Sequence, residues 1–122
     1  MKEYIEKIIE VEMNMSNELG KFNLFALFER DDIKDKWDVI ISMPISVNRK
    51  NEIIKKIHTE FLKELPKEVI IKISRFVFFE PSNPIVQNLN MMAHIEHGSF
   101  EVRDSMINNL MIKHALVITS QR

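Results

Sequence analysis

Cysteine is absent from the 122 residues, and glycine occurs only twice. Without a thiol there is no disulfide, no cysteine nucleophile and no cysteine-ligated zinc, and the composition fits a reducing, cytoplasmic setting. Gly20 and Gly98 are too few to build a P-loop or a G-x-G-x-x-G turn, which excludes nucleotide binding of those two kinds. Neither sign of charge dominates: 17 Lys and Arg stand against 18 Asp and Glu, for a net charge of −1. Such a chain has no global field to attract nucleic acid or an anionic membrane, and both are expected to be absent as partners. No stretch approaches the roughly 18 apolar residues of a membrane span. The N-terminal Met-Lys-Glu-Tyr lacks the unbroken apolar core of a signal peptide. With no repeat, low-complexity tract or long linker, residues 1–122 read as a single domain.

What is present is clear alternation between helical and strand spacing. Tyr4, Ile8, Val11, Met15 and Leu19 recur at three to four residues, which predicts a helix over 2–19 ended by Gly20 in a left-handed conformation. Residues 22–29 read as a strand with Phe22, Leu24, Ala26 and Phe28 on one face and Phe25 and Leu27 on the other, so both faces are apolar. A charged turn from Arg30 to Lys36 leads to a second strand, Trp37 to Met43, making an antiparallel hairpin. Pro44 ends that strand, Ser46 or Asn48 caps a helix with the stripe Ile53, Ile54, Ile57, Phe61 and Leu65, and Pro66 stops it. Lys67 to Ile73 reads equally as a helical turn or a strand start, and Ser74 to Phe79 as a strand. Asn83-Pro84 opens a helix to about Ala93, since Asn is a favoured N-cap and Pro a favoured first residue. Two last strands, Ile95–Asp104 and Leu110–Thr119, meet at Asn108-Asn109, which tolerates positive φ. The order α-β-β-α-β-α-β-β predicts an α+β fold: a mostly antiparallel five-stranded sheet with helices packed on one face.

Three constellations are candidate sites. At the junction Glu80-Pro81-Ser82-Asn83-Pro84, a carboxylate ends a strand and a helix N-terminus begins, a place suited to a base or an anion. The plainer account is a capped helix beside a solvated Glu80, with Asn83 and Ser82 serving the free N–H groups. His94 and His97 would share a face on a helix and oppose each other on a strand. Two ligands match no metal motif, so no metal and no cofactor are expected. Asn48-Arg49-Lys50 places cations at a helix start, against the dipole, as an anion site or as an ordinary solvated face. Arg75 completes the set of ligand-binding candidates: Arg75, Glu80, Ser82, Asn83, His94 and His97. His114 lies among apolar alternating residues and reads as a hydrogen-bonded core histidine. Met91, Met92, Met106 and Met111 cluster late in the chain, where part of the set is suited to face a partner.

No catalytic set is complete. The sequence therefore favours a small non-enzymatic domain that acts by association, as a homodimer or with a protein partner. The dimer argument is that helices on one face leave an apolar second face in need of cover. The competing arrangement puts helices on both faces of a complete monomer. The alternative function is a small-ligand binder or small hydrolase with a polar site at the strand ends near Glu80.

Overall fold

The computed structural model describes residues 1–45 and 47–122. The chain is α+β, and its central feature is a five-stranded, mostly antiparallel sheet. A short 3-10 turn, Lys2–Tyr4, leads into α1 (Ile5–Leu19), whose buried residues Ile8, Val11 and Met15 are those of the expected stripe. Gly20 does take a positive φ of 112°, but with ψ 173° it is extended rather than helical left-handed. β1 (Leu24–Glu29) and β2 (Trp37–Ser42) form the expected hairpin, pairing Leu24 with Ser42 and Glu29 with Trp37. Phe22 precedes the strand, and its ring meets that of Phe25 at 5.1 Å, so it packs with the opposite face from the one its parity suggested.

α2 (Lys50–Glu64) follows a 3-10 turn, Val47–Arg49. Asn48 lies within that turn and does not cap α2; the cap position is Arg49, with no side-chain hydrogen bond. Ser46 lies outside the described residues. Arg49 meets Glu52 at 3.9 Å, an ordinary surface pair. Ile53, Ile57, Phe61 and Leu65 are buried, while Ile54 at the margin of the stripe is half-buried. The ambiguous segment resolves into both of its options, a helical turn α3 (Lys67–Ile70) and then β3 (Ile73–Phe78). α4 (Pro84–Met92) starts as expected: Asn83 Oδ1 accepts the Ile85 N–H at 2.9 Å. β4 (Phe100–Ile107) and β5 (Leu110–Ser120) join through Asn108 and Asn109, both at positive φ.

The sheet order is β3-β2-β1-β5-β4, with β2 and β3 the one parallel pair. Parallel neighbours need a long crossover, and α2 with α3 supplies it. α1, α2 and α3 lie on the first face, over Phe25, Leu27, Val39, Ile41, Leu116 and Ile118. The second face carries Leu24, Ala26, Ile40, Ala115 and Val117, all buried. It is closed without a helical layer. Val86 and Leu89 of the short α4 pack on it, and the side chain of Asn90 donates to Asn23 O and Ser120 Oγ. The end of the β4–β5 hairpin covers more. Asp104 sits at φ 47°, and the alternation is interrupted here: Leu116 and Ile118 face the first cluster, whereas Ile112, of the same parity, joins the second together with Ile107. The apolar second face that motivated a face-to-face dimer is thus buried within one chain.

Candidate functional site

The sheet has two outer strands, and they differ. β4 carries Glu101, Arg103 and Asp104, and the positive φ of Asp104 kinks it. Charges and kinks of this kind blunt an edge against further pairing. Over Arg75 to Phe78, β3 carries a single charge, Arg75, and no residue at positive φ, and its one register irregularity lies at its start, opposite the Trp37/Asp38 step. Its aromatic and β-branched residues favour an extended backbone. Phe76 and Phe78 point to the first face, where the Phe76 ring lies 5.3 Å from Phe61 and 5.1 Å from His58. Lys50 sits 5.9 Å above the Phe78 ring. Arg75 and Val77 point to the second face, opposite Asp38 and Ile40.

The outer side of this edge has no strand paired to it among the described residues. The Phe79 N–H donates to Ile41 O at 2.9 Å. By strand alternation, Phe76 and Phe78 then turn their N–H and C=O groups away from β2. No strand of the described residues lies beyond β3 to receive them.

The six sequence candidates do not converge on one site. Arg75 lies on β3, with Nε 3.1 Å from Asp38 Oδ2. Glu80 is exposed just past the end of the strand. Ser82 is exposed, and the side-chain oxygen of Asn83 is spent on its cap. His94 and His97 lie on neither a helix nor a strand: α4 ends at Met92, Ile95 bridges to Ser120, and His97 has φ 55°. His94 is exposed, whereas His97 turns inward, its Nδ1 2.6 Å from Glu12 Oε1. The pair therefore serves different purposes, and among the described residues no cluster of three or more acidic and histidine side chains forms a metal cage.

Two polar clusters were at most half legible in the sequence: His114 is the buried, hydrogen-bonded histidine expected, but its partners and the whole of the Glu12 cluster were not foreseen. Glu12 is fully buried on α1, and its carboxyl is pushed above its ordinary value by burial, against the lowering effect of His97. His114 lies between two carboxylates, with Nε2 2.6 Å from Glu101 Oε2 and Nδ1 3.4 Å from Glu29 Oε1, and its ring packs edge-on to Trp37 at 5.0 Å. The Lys2 and His114 contacts, with Arg103 nearby, hold the Glu101 carboxyl down at about 2. Their only sequence signal is an acidic residue within an apolar stripe (Glu12) and a histidine within an apolar strand (His114). Both clusters tie distant segments together, α1 to the 95–98 loop and the N-terminal turn to β4 and β5. Comparison with protein-family models, with curated proteins and with solved structures gives no match, so the geometry alone carries the functional reading.

Proposed function

We propose that the chain is a small non-enzymatic domain that acts by self-association, as a two-fold dimer joined through the open edges of two β3 strands. One observation carries the reading: β3 ends the sheet unpaired and unkinked, and its sequence complements itself when run antiparallel. With Val77 of both copies on the axis, Phe76 meets Phe78 of the other copy, Arg75 meets Phe79, and Ser74 meets Glu80. Phe76 and Phe78 are the residues whose backbone groups point outward, so the same register also closes hydrogen-bonded rings. Cross-strand aromatic pairs contribute about 0.2–1 kcal/mol each, and a guanidinium over a ring roughly 0.5–1 kcal/mol. The contact is isologous, so it closes after two copies and does not propagate. Arg75 and Glu80 become interface residues in this account. A small-ligand or hydrolytic site at the strand ends near Glu80 has less support, because Glu80 and Ser82 are exposed and Asn83 is committed to its helix. The absence of cysteine accords with work in the cytoplasm.

Sedimentation equilibrium across the micromolar range tests the reading. The expected mass at the upper end is twice 14.5 kDa. Val77→Lys puts like charges opposite each other on the axis, and this variant stays at 14.5 kDa while still unfolding cooperatively. A wild-type mass of 14.5 kDa throughout, or a Val77→Lys variant that pairs as well as the wild type, contradicts it.

A further inference from the structure

Residues 95–98 run along the outer side of β5, past the point where β4 pairs with it. The β4–β5 ladder starts at Phe100 and Val117, and beyond it this strap takes the place of β4. Ile95 and Ser120 exchange hydrogen bonds at 3.0 and 2.7 Å, and the Gly98 N–H donates to Ile118 O at 3.0 Å. Between these anchors His97 stands at φ 55°, a conformation that residues with a side chain seldom take unless something holds them there. Two contacts do so. The His97 N–H donates to Thr119 Oγ1 at 3.1 Å, and its Nδ1 lies 2.6 Å from Glu12 Oε1. The second contact is the unusual one. Glu12 is fully buried on α1, and its Oε2 has no hydrogen-bond partner among the described residues. An ionised carboxylate there forgoes hydration, whereas a proton held on the Glu12–His97 pair removes that cost.

We propose that residues 95–98 form a pH-sensitive strap, closed on β5 while the Glu12–His97 pair keeps its proton and opening to hydrate the Glu12 carboxylate once that proton is lost. Linkage sets the direction. Burial raises the Glu12 carboxyl above its ordinary 4.5, so the closed strap has its full advantage below 4.5 and loses it as pH rises through the raised value. The neighbouring groups act as follows. On the strap, Glu96 Oε2 lies 3.8 Å from His97 Nε2 and accepts from Gln121 Nε2, and its charge adds to the effect of burial on Glu12. Lys21 acts on Glu96 in turn. On β5 the facing group is the Thr119 hydroxyl, which is neutral and works against burial. Opening frees the outward backbone groups of Ile118 and Ser120. The strap is separated from β3 by β1 and β2, so the device is independent of association through the β3 edge.

The test is amide hydrogen exchange from about pH 5 to about pH 8 at one fixed protein concentration, expressed as protection factors so that the intrinsic pH dependence drops out. Ile95, Gly98 and Ser120 report the strap. The amides of β1, a strand paired on both sides, report global unfolding. Strap protection is expected to fall roughly tenfold or more relative to β1 as pH rises. Glu12→Gln keeps an acceptor for His97 but cannot ionise, and is expected to abolish that fall. Strap protection that stays constant, that falls only in step with β1, or that falls equally in Glu12→Gln overturns the proposal. The comparison of strap with β1 uses the unaltered chain, so it decides the matter even if the variant does not fold.

Discussion

Phe61 joins the helical layer to the sheet: its ring lies 6.3 Å from Phe25 of β1 and 5.3 Å from Phe76 of β3. Phe61→Ala is expected to cost about 3–5 kcal/mol in a denaturant titration, as for buried aromatics generally; a loss below ~1 kcal/mol would mean that the α2 stripe is not core. Glu12 makes the opposite kind of contribution. Burial raises its carboxyl in the folded chain, with His97 and Glu96 the ionisable neighbours that modulate it. A raised folded value means that its share of stability is fully present below the ordinary 4.5 and is lost as pH rises through the raised value. Glu12→Gln removes the buried charge, so its melting temperature should fall less than that of the wild type as pH goes from 4 towards neutrality. Parallel melting profiles would show that Glu12 does not titrate in this range. These two residues also mark the limit of reading from sequence. Phe61 was legible because three-to-four spacing places it on a face with Ile53 and Ile57. Glu12 lies in the α1 stripe beside Val11, but the groups that offset its burial, His97 first and Thr119 after it, are distant in sequence, and no local pattern reports a contact between residues 12 and 97.

Elements are held to each other by polar ties as well as by their apolar faces. Glu101 of β4 accepts from Lys2 at 3.1 Å, meets His114 of β5 at 2.6 Å and lies 2.9 Å from Arg103. Together they lower its carboxyl from 4.5 to about 2. The sign is the reverse of that for Glu12: the stability is present above 4.5 and lost as pH falls towards 2. Glu101→Gln should therefore flatten the acid limb of a melting-temperature profile below 4.5. An acid limb as steep as that of the wild type would place the titration on other carboxylates. At this scale the strong signals were those of single elements: Asn83-Pro84 for the start of α4, Asn108-Asn109 for the last turn, and alternation in β1 and β2. Two features needed the tertiary structure. The parallel pairing of β2 with β3 follows from how the α2–α3 crossover packs, not from the composition of either strand. The kink at Asp104 sits on a residue that gives no warning of positive φ as a glycine would, yet it decides which cluster Ile107 and Ile112 enter.

The whole molecule buries both faces of its sheet and leaves an edge open. α1, α2 and α3 cover one face, and α4 with the curled hairpin closes the other, so Leu24, Ala26 and Ala115 are fully buried without a second chain. The need for a partner expected from apolar strand faces is met internally, by a hairpin bend that strand alternation alone does not foresee. What stays open is the backbone of β3, while β4 at the other edge is guarded by charge and by its kink. The asymmetry between the two edges is the basis for association through β3. The most direct test is amide hydrogen exchange at Phe76 and Phe78, followed as the protein is concentrated. No strand among the described residues pairs with their outward N–H groups, so they should exchange quickly when dilute and become protected together as copies pair. The Val77 N–H, which points towards β2, should be protected at every concentration and serves as the internal reference. Fast exchange at Phe76 and Phe78 at all concentrations, with Val77 protected throughout, would contradict association through this edge.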